Sequence, residues 1–533
     1  FRSVWSPCWK LLDPLVMQPV HILKNYFGSR VAFHLAWNGL YSKALLGLIL
    51  PALLCEMCMR RGMWKHPFQL FLGDDESEAT NPHLLGFSII LVIWGQLAFN
   101  LWDQEQAFLL SHWELQDDTE QVNVVRPEFR GTLEHSPVDR SIMELHYPSW
   151  KRRLWVMLSD IVMLLFCALV IVCTAAWINM FGQKMDIVAA FMLSVQISTL
   201  EQVYFYVVML LVNLENHKFQ ADHYNSLLWK QCIFRMVNSY CPFFYLILMQ
   251  GGKAGCLFNG HNDCFALLRR QLITTLTIRM MVRVMQAKGM FLLVKVSLWI
   301  FRRDSQSGAS FAEKQRSYNN FDMPEQIEVM LQLMLSLGYV LLFGSAAPLI
   351  VPLCFLVFRI QVQASAMLLT ECTRRPFPQR MAGIGVWCNV VQVLTAMGVV
   401  TNGFLIVHYG YAFAGTKITA KLTGCFLYCI LAVILRACMN DLGPSQDSAV
   451  KLLEARRNRV LQVLSLKITE GLTGGGSDYK TFAGAARQAE EVEAAEWYKI
   501  GHFRTSMAMV SPRMAMVSPR VSPRSPRVSF QQA

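Results

Sequence analysis

Residues 323–376, MPEQIEVMLQLMLSLGYVLLFGSAAPLIVPLCFLVFRIQVQASAMLLTECTRRP, decide the fold of this chain. They read as two apolar helices joined at Ser345-Ala346-Ala347-Pro348, each suited to crossing about 30 Å of hydrocarbon. Glu325 and Glu328 stand at the mouth of the first, and Gln361, Gln363 and Ser365 in the second half of the other. Carboxylates spaced i, i+3 share a helix face. Two readings stay open for them. Ionisable groups at a bilayer edge are costly enough to mark function, but a first-turn pair behind Pro324 is also what the helix dipole favours.

Working outward, the 533 residues are 54% hydrophobic and only 16% charged, with mean hydropathy +0.32. A soluble chain carries roughly a quarter charged residues, so the fold class is an all-α polytopic membrane protein. The net charge of +12 suits anionic headgroups. It does not point to nucleic acid, because the basic residues flank apolar spans. The first residue is Phe1 and no signal peptide precedes the first span, so the chain reads as a fragment lacking its N-terminal part. Fifteen cysteines are scattered, many inside apolar runs, where they act as small buried hydrophobes. Cys55 with Cys58, or Cys256 with Cys264, can form disulfides in an oxidising lumen, and no spacing reads as a zinc site.

Ten transmembrane helices are expected. The first two run from about Val31 to Cys55 and His83 to Trp102, with the acidic connection Asp74, Asp75, Glu76 and Glu78 between them. The third and fourth are LWVMLSDIVMLLFCALVIVCTAAWINMF and IVAAFMLSVQISTLEQVYFYVVMLLVNLE; the fifth and sixth span about Ser226–Gln250 and Phe265–Ile300. The opening stretch supplies seven and eight, and about Ile384–His408 and Ile418–Met439 supply nine and ten. Connections after spans four, six and eight, and the tail, are rich in Lys and Arg, which puts both termini in the cytosol by the positive-inside rule; Arg60, Arg61 and Lys65 are the exception. The expected division is residues 1–30 as the end of a cytosolic region and 31–440 as the membrane domain. Residues 441–500 follow as cytosolic helices, the first with a basic face suited to the membrane surface. Residues 501–533 form a disordered Ser-Pro-Arg tail open to phosphorylation.

The passage LENHKFQADHYNSLLWKQCIFRMVNSYCPFFYLIL (214–248) resembles the anoctamin family. KNYFGSRVAFHLAWNGLYSK (24–43), RPEFRG (126–131), the Glu-containing start of span seven and RRPFPQRMAGIGVW (374–387) resemble it in the same order. The resemblance covers about residues 20 to 440. It implies a ten-span homodimer that acts as a calcium-activated chloride channel or phospholipid scramblase, with a hydrophilic furrow lined by spans three to seven in each subunit.

The resemblance also implies calcium held by an Asn and a Glu of span six, two Glu of span seven, and a Glu and an Asp of span eight. Oxygen donors of this kind are what calcium takes. Here Glu325 and Glu328 match the span-seven metal positions, while Val284, Lys288, Gln361 and Ser365 depart. Two carboxylates facing an ammonium group approach neutrality without a metal. Lys288 therefore reads either as a tethered cation pairing with Glu325 or Glu328, or as a lysine reaching the interface beside a dead site; calcium remains a doubtful cofactor. Ile278 stands where activated members have a hinge glycine, and its β-branch removes that freedom.

Lys230 and Arg235 in span five and Arg279 and Arg283 in span six are the furrow candidates, with Glu201 in span four as a partner across it. Uncompensated cations facing lipid are improbable, although interfacial placement remains open for Lys230. No phosphate loop or nucleophile triad is present, so no enzyme is expected. The leading reading is passive transport of chloride, phospholipid or both, with calcium activation weakened or lost. Its partners are membrane lipids, anions and a second copy, in the plasma membrane or endoplasmic reticulum. The competing reading is a scaffold or contact-site tether that kept the fold without transport.

Overall fold

The computed structural model describes residues 18–60, 83–113, 125–135, 143–181, 187–248, 264–301, 320–409 and 416–442, with short pieces and isolated residues between and beyond them. The acidic connection, Cys256, the Ser-Pro-Arg tail and all but isolated residues of the expected surface helix lie outside the described residues.

A short helix α1 (Val20–Phe27) leads into α2 (Ser29–Arg60) and α3 (His83–His112). A two-stranded hairpin, β1 (Thr132–His135) with β2 (Met143–His146), pairs Thr132 with His146 and occupies the polar stretch after α3. There follow α4 (Ser149–Phe181), α5 (Ile187–Leu214), α6 (Gln220–Leu248), α7 (Cys264–Phe301), α8 (Met323–Phe343), α9 (Ile350–Met367), α10 (Trp387–Tyr409) and α11 (Ile418–Leu442). Helices thus stand at every position where a span is expected. Eight of them are long and apolar enough to cross a membrane. The other two, α6 and α7, contain Lys230 and Arg235, and Arg269, Arg270 and Arg279, so composition alone does not pass them. The chain is an all-α polytopic membrane protein.

The stretch 323–376 forms the heart of the bundle. Along α8 most side chains are buried, because α6, α9 and α10 all pack on it. Gly338 permits the closest of these approaches: a Cβ there would fall on the Tyr240 phenol, whose hydroxyl donates to the Leu335 carbonyl at 2.9 Å. Apolar burial scarcely drives helix association in lipid, so such close contacts and cross-helix hydrogen bonds carry it. At the turn after α8, Ser345 bonds Asn402, whose amide donates to the Leu341 and Gly398 carbonyls at 2.8 Å each. The C-terminal end of α9 widens into a π-turn at Leu368–Cys372, which α7 packs against.

By contrast α4, α5 and α11 face outward over most of their length. Cys55 and Cys58 lie on α2 as free thiols. At i, i+3 on one helix their Cβ atoms stand about 5–6 Å apart, beyond the roughly 3.8 Å a disulfide needs, so this pairing is corrected.

Candidate furrow and its charge network

The blocks that carry the resemblance turn out to be joints. Asn216 adopts positive φ (49°) in the turn after α5, a conformation asparagine tolerates. Its amide donates to the Arg130 carbonyl at 2.7 Å, its Oδ1 accepts from the Arg130 N–H at 3.1 Å, and Val125 bridges to Phe219. The segments 126–131 and 215–219 are therefore one zipped contact. A second joint couples Ser29 and Arg30 to Gln379 and Met381. Gly28 sits between them at φ +90° with the 378–379 backbone 3.0 Å from where its Cβ would be, so only glycine fits without strain.

In the Asn238-Ser239-Tyr240 block each residue bonds to another helix. The Asn238 amide donates to the Ile197 carbonyl at 2.9 Å. Ser239 accepts the Tyr339 hydroxyl at its carbonyl (3.1 Å) and the Arg279 guanidinium at its Oγ (3.2 Å). Tyr240 reaches Leu335, as described.

These joints set the charged side chains. Arg235, 3% exposed, forms an ion pair with Glu328, which also accepts the Gln332 amide. Arg279 pairs with Glu201 at 3.3 Å and lies 5.8 Å from the Tyr339 ring centre. Glu201 also acts electrostatically on Arg235. Two guanidiniums and two carboxylates from α5, α6, α7 and α8 thus form one neutral lattice. Beside Arg279, a cavity of about 30 Å³ is lined by Gln332, Ser336, Tyr339 and Gln361, among others, room for one or two waters.

Lys230 belongs to a separate cluster. It pairs with Glu215, and with Asp160 at 3.5 Å, while His217 and Ser226 each bond Glu215 at 2.7 Å. Burial alone would raise the Glu215 carboxyl. Donors from His217, Lys230, Ser226 and Ser159 outweigh it and bring the pKa down to about 2. In the sequence Glu215 stands only within the fingerprint passage; its place just past the end of α5 and two residues before His217 is the available signal.

At the positions the resemblance assigns to calcium, the donors are otherwise engaged. Glu325, exposed, turns back to accept the Asp322 N–H at 3.0 Å as a capping residue. Glu328 faces Arg235, Gln361 reaches Ser365 at 3.5 Å, and Val284 offers no oxygen. The side chains of Lys288 and Arg283 lie outside the described residues, although both positions are helical. Among the described residues no group of three or more His, Cys, Asp or Glu could hold a metal. Calcium takes six to eight oxygens, and this set does not fit it.

Comparison with known proteins agrees with the arrangement. The family model described as "Anoctamin: Calcium-activated chloride channel" matches residues 23–457. Mouse Anoctamin-7 is 22% identical over 455 residues, covering 73% of this chain and 52% of the relative. Human Anoctamin-5 is 23% identical over 526 residues, covering 80% and 56%, and human Anoctamin-10 is 22% identical, covering 75% and 59%. The chain spans about half the length of the curated relatives it matches. With the family model covering most of the sequence, and the joints that hold the bundle formed by the very blocks that carry the resemblance, this chain belongs to the anoctamin family.

Proposed function

We propose that this chain is a passive membrane transport protein, moving chloride or phospholipid down its gradient through a furrow in each subunit of a homodimer, without a calcium switch. One observation carries the proposal: Glu328, at a calcium-site position, is already neutralised by Arg235. In relatives, the resemblance implies, crowded carboxylates wait for a divalent ion. Here a guanidinium of the neighbouring helix supplies the opposing charge permanently, so metal has no repulsion to relieve. Lys288 would add a second fixed cation on α7. Among the described residues Nη1 of Arg235 has no hydrogen-bond partner, which suits attraction of an anion from a polar interior.

Both termini lie on the cytosolic side in this reading, and no covalent chemistry is involved. The test is reconstitution of the purified chain in liposomes, with chloride efflux and dithionite bleaching of labelled lipid measured with and without calcium. Flux of either kind at equal rates in calcium and in chelator is expected. A micromolar calcium requirement abolished by Glu325→Gln would refute the lost switch, and no flux under any condition would leave the tether.

A further inference from the structure

The cations of α6 and α7 each face a carboxylate, but one buried cation elsewhere does not. Arg30, in the first turn of α2, is 6% exposed. Among the described residues its guanidinium meets an amide and a ring, and no carboxylate. Nη1 donates to Gln379 Oε1, and the centre of the Tyr224 ring on α6 lies 4.2 Å from Cζ. The Tyr224 hydroxyl is engaged elsewhere, accepting the Trp387 indole N–H at 2.9 Å, which leaves the ring face for Arg30. Nε and Nη2 are buried with no hydrogen-bond partner among the described residues, and so is Nε2 of His34, one turn along α2.

The identity of the two nitrogens is informative. Nε and Nη2 form the side-on edge of a guanidinium, whose parallel N–H bonds match two oxygens of one carboxylate or phosphate. A ring face offsets part of the charge but leaves those in-plane donors unmet. The surrounding chain offers no acid. Residues 18–30 and 374–386, which the Ser29–Met381 and Arg30–Gln379 contacts lock together, contain Lys24, Arg30, Arg374, Arg375 and Arg380 and no Asp or Glu. Arg374, Arg375 and Arg380 are exposed, and Arg375 lies 4.3 Å from the centre of the Tyr26 ring. A field of one sign concentrates anions, and a buried guanidinium without a counter-charge is costly to keep.

We propose that Arg30 is the floor of an oxyanion site. Its Nε–Nη2 edge takes two oxygens of a phosphate-class group, and the bound group is the counterion that holds the start of α2 to the 374–381 segment. His34, on the same face of α2, can donate its Nε2–H to a further oxygen. Free phosphate and the phosphate of an anionic lipid headgroup present the same oxygens.

The test melts the whole chain in an uncharged detergent, which reads the site whether or not the chain transports. In millimolar inorganic phosphate the wild type is expected to unfold about 2 °C or more above its midpoint in chloride of equal ionic strength, the rise saturating with phosphate. R30K keeps the charge without the side-on edge and should lose the rise, as should R30Q; K417Q, at an exposed lysine before α11, should keep it. Dialysis of the wild type against radiolabelled phosphate needs no variant and should retain one equivalent per chain. The second arm is mixed micelles carrying phosphatidic acid in place of phosphatidylcholine. A rise there that R30K abolishes, with none in free phosphate, assigns the bound group to a lipid; an Arg30-dependent rise in free phosphate assigns it to solution. Two outcomes overturn the site: a rise of equal size in wild type and R30K, which is a general salt effect, or no rise in either arm with no label retained.

Discussion

Removing the carboxylate of Glu328 tests the lattice most directly. At hydrogen-bonding separation, an effective dielectric of about 20 gives on the order of 5 kcal/mol of attraction between unit charges. Truncating one partner of a buried pair costs about 3–5 kcal/mol, because the other charge is left uncompensated. Arg235 is 3% exposed, but the Glu328 side chain is 29% exposed, so water screens part of the loss and the lower end, about 3 kcal/mol, is expected for E328Q. The pair sits between α6 and α8, so the loss should appear as a lower unfolding midpoint in detergent. The double variant R235Q/E328Q should recover much of it, because the stranded guanidinium is then gone. A thermal or denaturant melt of wild type, both single variants and the double variant yields the coupling energy. Coupling under about 0.5 kcal/mol would refute the claim that Arg235 neutralises Glu328. So would an E328Q chain that loses a calcium response the wild type displays, since the carboxylate would then be serving a metal.

Three further outcomes follow from the joints. Glu215 has its carboxyl brought down to about 2 from the ordinary 4.5, so its stabilisation is fully present above about pH 4.5 and is lost as pH falls towards 2. Wild type should exceed E215Q by on the order of 3 kcal/mol at neutral pH, with the gap shrinking below about pH 4.5; a gap independent of pH would contradict the cluster. Gly338→Ala puts a methyl group on the Tyr240 ring and should cost about 1–3 kcal/mol by overpacking, while Y240F, losing one hydrogen bond, should cost about 1 kcal/mol or less; detergent melts check both. Gly28→Ala, at φ +90° against the 378–379 backbone, should cost at least about 1–2 kcal/mol and speed proteolysis at the 374–381 segment. Equal protease resistance of G28A and wild type would show that this joint is not under constraint.

Most of the architecture is written in local composition. Span-length apolar runs place the helices within a few residues, as at Ile418–Leu442, because hydrocarbon thickness imposes a minimum length on every crossing. Given the alignment that the resemblance implies, the departures at Val284, Lys288, Gln361 and Ser365 are legible too, since a missing carboxylate or amide donor is a property of one residue. Partnership is different in kind. Glu328 lies 93 residues from Arg235 and Glu201 lies 78 from Arg279, and which pairs meet depends on the rotation of each helix about its axis. Those rotations are fixed by contacts such as Tyr240 against Gly338 and Asn238 against Ile197, which no single helix encodes. Sequence alone therefore determined that buried charges exist in these spans and of what sign. Only the tertiary structure decided that Arg235 answers Glu328, that Glu325 turns away to cap its own helix, and that Lys230 belongs with Glu215. Charges in a low dielectric must be balanced by whatever the packing brings within reach.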